Sequence, residues 1–383
     1  MSRDAALAVA ATVALLGVFV AALVLAIARR WEPASDWALI ETQVADVGTS
    51  ATPLVGPYSR FNWNHPGPGL FYVLAVPYRI LGSWPNSLLV GALAVNAASV
   101  IGVARSAWRL GRLPLVLIAV VATAVLTRSL GAGFLIDPWN PYLPLLPLGW
   151  YLFIVWEAGR GRRWAWPLAL GLGSFAVQAH VGYCLLVAFP LMWAVGSAVL
   201  GHPDRSGQPR WRNVAAVTAV VLTVFWIPPL VQQLLGPGRG NLSALWSQGS
   251  RFISKQAPAA PAAHAIGSSG LFAPRVVGLG QALGLLAREF SGWAPWFGGP
   301  EPRQGNGGVA ALAPLWLFVP LAAWVGVAVA AQRSKRSDLL SALGLAATVL
   351  LASCGSVHRD RLGVVGCITA QRGVHSELAR AVR

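Results

Sequence analysis

Residues 36–69, DWALIETQVADVGTSATPLVGPYSRFNWNHPGPG, form the polar stretch around which the rest of the sequence is organised. The stretch places acids, amides, an arginine and a histidine between two apolar segments: Asp36, Glu41, Asp46, Arg60, Asn62, Asn64 and His65. The whole 383-residue chain has only 13 acidic residues and six histidines. We therefore expect any chemistry to lie in this stretch and the remaining chain to be its scaffold.

The composition is typical of a polytopic membrane protein, because apolar residues make up 56% of the chain and charged residues only 11%. The net charge is +16, but the basic residues sit in short loops between apolar runs. That is the positive-inside pattern of membrane proteins, so we expect membrane lipid as a partner and no nucleic acid. The three cysteines show no metal-type spacing, and neither a disulfide framework nor a zinc site is predicted.

The first apolar run, Ala5 to Ala28, predicts a retained transmembrane helix with a cytoplasmic amino end. Ser35 is then predicted to cap a helix from Asp36 to about Val47. One narrow apolar face of this helix carries Trp37, Ile40, Val44 and Val47. We expect the helix to lie on the membrane surface and to hold Asp36 at the boundary between water and lipid. The plainer alternative is an amphipathic connector whose acids are simply solvated.

The later apolar runs predict an all-α polytopic membrane protein with about nine transmembrane helices. The run from Gly69 to Ser83 is too short to span and contains Pro77 and Arg79, so we predict a juxtamembrane or re-entrant helix inside the first external loop, 29–87. Further spans are predicted at 88–104, 113–127, 142–156, 164–179, 181–200, 214–235, 310–331 and 339–352. The cytoplasmic connections include RSAWRLGR, EAGRGRR and GHPDRSGQPRWR, which carry the positive charge.

The predicted transmembrane domain covers residues 1–352 and includes a long external loop, 236–308, rich in Gly, Pro and Ala. Within it the amphipathic segment QALGLLAREFSGW, 281–293, is consistent with a partly ordered lid, while a disordered loop is an equal alternative. The tail, 353–383, changes character and contains two of the three cysteines, two of the six histidines and five arginines. We hypothesise that the chain is truncated or frame-shifted near Ser353.

Four polar segments fall on the predicted external side of the membrane. They are the first loop, the turn Asp137 to Asn140, the turn Gln178 to His180, and the pair Arg288 and Glu289. Polar residues near membrane depth are costly and tend to face cavities. We therefore expect the four segments to line a common site.

The first loop also carries a family resemblance. An acid in a D-W-A-L helix after the first transmembrane helix, followed by N-H-P-G-P-G-L-F-Y at 64–72, resembles the GT-C superfamily of polyprenyl-phosphate-sugar-dependent glycosyltransferases. The resemblance covers about residues 1–200 and is closest to the branch of protein mannosyltransferases and lipid A aminoarabinose transferases. Asp36 matches the first-loop acid, with Trp37 where family members commonly carry a Glu. His65 matches the H-P-P motif, with Gly67 in place of the second proline.

The resemblance implies transfer of a sugar from a polyprenyl-phosphate donor to an envelope acceptor, which is a glycan, a lipid or a protein, on the external face of the plasma (inner) membrane. Asp36 is the implied catalytic base. The cationic or hydrogen-bonding partners expected for the leaving phosphate are Arg60, His65 and His180. Further substrate-binding residues are expected to be Glu41, Asn62, Asn64, Asp137 and Asn140. No cofactor is assigned, and a divalent metal is left open.

Two other functions are consistent with the sequence. One is a transporter or lipid-carrier flippase, in which the external polar loops would be gates, and the other is an inactive, truncated homologue. A transporter is expected to place ionisable groups or broken helices near the bilayer midplane, often in paired halves. We find no internal repeat and no acidic residue inside a predicted span, which favours the enzyme. Local alternatives also exist, because His65 could cap the next segment, His180 could satisfy a helix turn and Asp137 could belong to an ordinary turn.

Overall fold

The computed structural model describes residues 1–28, 30–59, 63–200, 209–236, 238, 240–253, 318–333 and 340–349. Several predictions fall outside these ranges: Arg60, Asn62, the pair Arg288 and Glu289, the lid segment 281–293, and the tail 353–383. The chain divides into two compact units, Met1–Leu242 and Ser243–Arg383. The predicted domain of residues 1–352 and its tail stay predictions.

The first unit is built almost entirely of helices, joined by turns and one small hairpin. The helices are α1 (Arg3–Ala28), α2 (Asp36–Asp46), α3 (Gly69–Ile80), α4 (Asn86–Leu130), α5 (Leu145–Gly159), α6 (Ala165–Ala179), α7 (Cys184–Leu200) and α8 (Trp211–Leu235). Short 3-10 helices, Ala132–Ile136 and Val181–Tyr183, precede α5 and α7. Helix α9 (Asn241–Ile253) begins at the end of this unit, and the second unit contains the helices Phe318–Arg333 and Leu340–Val349.

The hairpin lies in the first loop and departs from the all-α prediction. Strands β1 (Tyr58–Ser59) and β2 (Trp63–Asn64) pair antiparallel, with Tyr58 opposite Asn64. Each strand has only two residues, too few for the alternation of apolar and polar side chains that reveals a strand in a sequence.

Four helices are long and apolar enough to cross a membrane by length and composition: Arg3–Ala28, Asn86–Leu130, Val181–Leu200 (which includes the second 3-10 turn) and Trp211–Leu235. Exposed valines and isoleucines along α1 and α8 are suited to lipid contact: Val9, Val13, Val20, Val24, Val217, Val220, Val224 and Ile227. These features indicate a membrane protein. The other apolar helices are shorter, so the count of about nine spans stays a prediction.

Helix α4 contains a sharp turn at Gly111 and Arg112, whose backbone angles are not helical. A straight helix of its 45 residues would be about 68 Å long, roughly twice the thickness of a bilayer core. However, the side chain of Asn96 donates a hydrogen bond to the carbonyl of Leu135. The chain therefore folds back at Gly111, as expected from the basic connection RSAWRLGR, and α4 consists of two antiparallel segments.

The end of α5 corrects one prediction. The helix runs to Gly159, past the predicted limit at Trp156, and so contains Glu157 in its last turn. This side chain is fully buried, and its Oε2 lies 4.0 Å from Nη1 of Arg109. The helix therefore extends beyond the predicted span and carries an acid in that extension, because a charged residue that ends an apolar run does not end the backbone helix.

Helix α2 forms as predicted, but its environment differs. Ile40 and Val44 are buried in one cluster with Leu70 and Leu74 of α3. The apolar face of α2 is therefore covered by protein, and its position at the membrane surface stays a prediction. Ser35 occupies the position before the helix with a positive φ of 52°, and its side chain makes no capping hydrogen bond, so the predicted cap is wrong.

Candidate functional site

Three of the four predicted external segments come together at one end of the helices. The indole of Trp139 donates to Asp36, the rings of His65 and His180 lie 4.4 Å apart, and the side chain of Asn140 donates to the carbonyl of Ala179. These contacts join the first loop to the turn before α5 and to the turn after α6. The expected juxtaposition is confirmed for the described residues, and the roles of the individual side chains stay predictions.

Two segments that each contain an aspartate and a tryptophan are joined by a pair of reciprocal hydrogen bonds at this site. Nε1 of Trp139 donates to Oδ2 of Asp36 over 3.0 Å, and Nε1 of Trp37 donates to Oδ1 of Asp137 over 2.8 Å. The two indole rings lie 6.3 Å apart at an angle of 34°. Each segment therefore supplies one acid and one indole, and we call this arrangement the Asp–Trp exchange.

The two carboxylates of the Asp–Trp exchange differ in how firmly hydrogen bonds hold them in place. Oδ1 of Asp137 also accepts the backbone N–H of Trp139 at 2.9 Å, which makes Asp137 part of its own turn, as the plainer interpretation expected. Asp36 is exposed, and among the described residues one indole N–H donates to one of its oxygens. Of the two acids, Asp36 is the better placed to react with an incoming group.

The histidines form a buried pair whose protonation is set by the backbone. Nδ1 of His65 accepts the N–H of Val181 and Nδ1 of His180 accepts the N–H of Gly182, both at 3.1 Å. A nitrogen that accepts a hydrogen bond carries no proton, so each neutral ring carries its proton on Nε2. His180 thus bonds within the turn that follows it, as its local alternative expects, and this leaves an N–H donor on the other side of the ring.

Burial favours the neutral form of both histidines. It lowers the pKa of His180 from 6.5 to about 4. It also lowers the pKa of His65 well below its ordinary value, with a smaller contribution from repulsion by His180. Both rings are therefore neutral hydrogen-bond donors near neutral pH rather than cations.

Gln178 holds the loop that carries the H-P-G motif against α8. Its Oε1 accepts the backbone N–H of Gly69 at 3.1 Å, and its Nε2 donates to the carbonyl of Phe225 at 2.6 Å. That carbonyl has no helical partner, because the residue four positions later is Pro229, which has no N–H. The polar turn that contains Gln178 is evident in the sequence, but its bond to α8 is not, although a proline inside an apolar helix signals such a free carbonyl.

The same contact explains why this chain has glycine at position 67. A Cβ at Gly67 would lie 2.4 Å from Cδ of Gln178, which is closer than two carbon atoms can approach. Gln178 is fully buried and bonded on both sides, so it has little freedom to move away. A proline here, as in the H-P-P motif, would collide with it.

The outer edge of β2 is paired by a side chain from far along the sequence. Asn241 accepts the N–H of Asn64 at 2.8 Å and donates to its carbonyl at 2.9 Å, as a neighbouring strand would. Asn241 is itself buried, and its own N–H donates to Oε1 of Gln232. Asn64 is therefore held by its backbone, and its predicted contact with substrate stays a prediction.

Glu41 is directed away from Asp36. Five residues along an α-helix correspond to a rotation of about 140°. Oε1 of Glu41 accepts the hydroxyl of Tyr78 at 3.1 Å. Burial and the neighbouring carboxylate raise the pKa of Tyr78 to about 12, so the hydroxyl stays a donor. The contact joins α2 to α3, and a role for Glu41 in binding substrate stays a prediction.

An apolar groove of about 550 Å³ begins beneath this site. Its walls come from α3, α4, α5, α6 and α8, and they include Val73, Val95, Trp150, Trp164, Phe175, Val221 and Phe225. Phe225 marks the upper end, because its ring lies against Gly69 and its carbonyl binds Gln178. Trp164 marks the opposite end, where the guanidinium of Arg109 lies 4.7 Å from its ring. The groove therefore extends along the helices from the site toward the basic end.

Within the described ranges, no group of three or more His, Cys, Asp or Glu side chains is arranged to hold a metal ion. The divalent metal left open by the resemblance stays a prediction. No protein-family model, curated protein or solved structure matches the chain. The function is therefore argued from the geometry of the site.

Proposed function

We propose that the protein is an integral membrane glycosyltransferase that moves a sugar from a polyprenyl-phosphate donor to an envelope acceptor on the external face. The observation that carries the proposal is the contact of Asp36 with the turn that contains Trp139, and that turn is bonded through Asn140 to the residue before His180. Asp36 lies at the end of the helix bundle, exposed, with one oxygen bonded and the other without a partner among the described residues. A carboxylate in this state is suited to accept a proton.

The reaction assigned to the site is a single displacement at the anomeric carbon. The acceptor hydroxyl oxygen forms a bond to that carbon while the bond from the carbon to the phosphate oxygen breaks. The hydroxyl proton passes to Asp36, and the electron pair of the broken bond leaves with polyprenyl phosphate. Because the leaving group gains negative charge, hydrogen-bond donors beside it stabilise the transition state.

The histidine pair supports the second half of this reaction. His65 and His180 each use Nδ1 to accept a backbone N–H, so their Nε2–H groups are the available donors. Neutral donors bind a phosphate without needing a proton from solution. Asn140 is buried and bonded to Ala179, so in this proposal it supports the turn beside His180.

The apolar groove supports the nature of the donor. It starts at Phe225, directly below the loop that contains Gly69, and continues between the helices. A donor with a phosphate at the site and an isoprenoid chain in the groove would be bound at both ends. The part of the isoprenoid chain that extends beyond the groove would lie in the lipid.

The buried acid Glu157 is the observation that bears on the transporter alternative. This residue lies in the last turn of α5, with Arg109 at 4.0 Å and with Arg105 and Arg162 nearby. Transporters place ionisable groups near the bilayer midplane. Glu157 lies instead at a helix end among loop arginines, so it does not favour transport over transfer.

The test compares the wild-type protein with Asp36→Asn in purified, lipid-reconstituted form. The donors are labelled short-chain polyprenyl-phosphate mannose and polyprenyl-phosphate aminoarabinose, and the acceptor is an envelope extract. Asparagine retains an oxygen that accepts the Trp139 indole, so the fold is kept while the base is lost. We expect transfer by the wild type and a decrease in kcat of about 10²- to 10⁴-fold in the variant.

Asp46→Asn is the matched control, since Asp46 lies at the other end of α2. It should transfer at the wild-type rate. Equal transfer by all three proteins would remove Asp36 from the role of base, and absence of transfer by the wild type from every donor would contradict the glycosyltransferase proposal.

A further inference from the structure

We propose that Trp139 is a positioning residue that fixes the carboxylate of Asp36 for proton transfer. The inference rests on the proposed function and adds a residue to it. The indole N–H of Trp139 binds Oδ2 of Asp36 at 3.0 Å and leaves Oδ1 as the oxygen that accepts the proton. The restraint comes from a turn 103 positions later in the chain than Asp36.

The chemistry of the donor makes this restraint specific. An indole N–H only donates and does not titrate, so it binds the carboxylate without competing for the proton that the reaction moves. A carboxylate at an exposed position otherwise samples several rotamers. A fixed donor at one oxygen limits that sampling, and proton transfer depends strongly on such geometry.

Trp139 is itself held firmly enough to act in this way. Its backbone N–H donates to Oδ1 of Asp137, and its carbonyl accepts the N–H groups of Tyr142 and Leu143. The ring of Tyr142 meets the indole edge-on, with the ring centres 5.2 Å apart. The indole therefore projects from a turn whose backbone and side chain both have partners.

The Asp–Trp exchange provides an internal control. Trp37 makes the reciprocal bond to Asp137, a carboxylate that also accepts the backbone of Trp139. Loss of the Trp37 N–H should weaken the attachment between the two loops about as much as loss of the Trp139 N–H. Only loss of the Trp139 N–H removes the hydrogen bond that holds the carboxylate of Asp36.

The experiment measures kcat and KM for Trp139→Phe and Trp37→Phe with the two labelled polyprenyl-phosphate donors named above. In a second pair, 3-benzothienylalanine replaces each tryptophan, because this residue keeps the bicyclic ring and lacks only the N–H. Thermal unfolding of all four variants in detergent reports whether they fold. We expect both substitutions at 139 to lower kcat about 10- to 100-fold with KM for the donor unchanged, and those at 37 to lower kcat much less at a similar loss of stability.

Each outcome decides the inference. If the wild type transfers sugar and position 139 behaves like position 37 in kcat, Trp139 has only a structural role and the inference fails while the proposed function stands. A rise in the acceptor KM with kcat unchanged would make Trp139 a binding surface and would also overturn it. Absence of transfer by the wild type overturns the proposed function and this inference together.

Discussion

The pairing of His65 with His180 shows how the backbone sets the chemistry of individual residues. Both Nδ1 atoms accept consecutive backbone N–H groups, and protonation of either ring would replace the acceptor with a second donor facing that N–H. The pair is therefore stable only in its neutral state. The neutral state is thus set by the backbone N–H groups of Val181 and Gly182 in the turn after α6.

The first prediction concerns the effect of acid on this pair. An unfolded histidine takes up a proton near pH 6.5, whereas folded His180 does so only near pH 4. The contribution of the pair to stability is complete above pH 6.5 and decreases as the pH falls from 6.5 to 4, because only the unfolded chain binds protons there. For His180 the decrease is roughly 3 kcal/mol across the interval.

The measurement is thermal unfolding in detergent at a series of pH values from 7.5 to 4. His180→Asn keeps an oxygen that can accept the N–H of Gly182 and removes the titrating group. Its Tm should fall less steeply with acid than that of the wild type. Parallel Tm curves for the two proteins would show that His180 is not neutral in the folded state.

At this scale the sequence indicates which polar residues stand out from the apolar chain better than it indicates their partners. Asp36, His65 and His180 stand out because polar side chains are rare in an apolar chain. Trp139 does not stand out, since the chain has 18 tryptophans and its role depends on a contact with another loop. The bonds of Gln178 and Asn241 likewise depend on contacts with distant parts of the chain.

Among the elements, α4 shows that local sequence predicts a turn without predicting its backbone. The basic connection marks where the chain reverses, but it does not reveal that Arg112 takes a φ of 55° and a ψ of −152°. Residues with a side chain seldom adopt this conformation, and it costs of order 1–3 kcal/mol. The prediction of α5 was less accurate, because repeated prolines delay its start to Leu145 and the helix continues through Glu157.

The second prediction follows from the strain at Arg112. Arg112→Gly and Arg112→Ala both remove the guanidinium that lies 5.3 Å from the ring of Trp108. Only glycine adopts the backbone angles without strain. We expect the glycine variant to be more stable than the alanine variant by about 1 kcal/mol or more, measured by thermal unfolding in detergent. Equal stability, or a more stable alanine variant, would contradict a strained turn at this position.

For the molecule as a whole, the sequence predicts a membrane protein and a common location for its polar loops. The structure brings three of these loops together, and it places Arg109, Glu157 and Trp164 together in a separate cluster. Hydropathy predicts this separation because each apolar helix carries the chain from one end of the bundle to the other, so that successive loops alternate between the two ends. It does not reveal the groove between the helices, which depends on how their surfaces meet.

The third prediction tests the sidedness. Starting from a variant with Cys184, Cys354 and Cys367 replaced by serine, single cysteines are introduced at two exposed positions on the predicted external side, Thr49 and Gly133, and at two in the basic connections, Arg105 and Arg160. A membrane-impermeant maleimide should label Thr49→Cys and Gly133→Cys in intact cells. It should label Arg105→Cys and Arg160→Cys only after the membrane is permeabilised.

A reversed result would place the site on the cytoplasmic face. Labelling of all four positions in intact cells, with an intracellular protein confirmed to be unlabelled, would contradict a membrane-spanning arrangement.

The bond between Asn64 and Asn241 has a consequence for biosynthesis, because its partners are 177 positions apart in the chain. At typical rates of translation, roughly 9 to 35 s separate the synthesis of the two residues. During that interval the N–H and carbonyl of Asn64 lack the side-chain amide of Asn241 that binds them in the folded protein. The outer edge of the hairpin beside His65 is therefore unpaired until Asn241 has been synthesised. The hairpin beside His65 is thus completed only after α8 has been made, which couples formation of the candidate site to the synthesis of that helix.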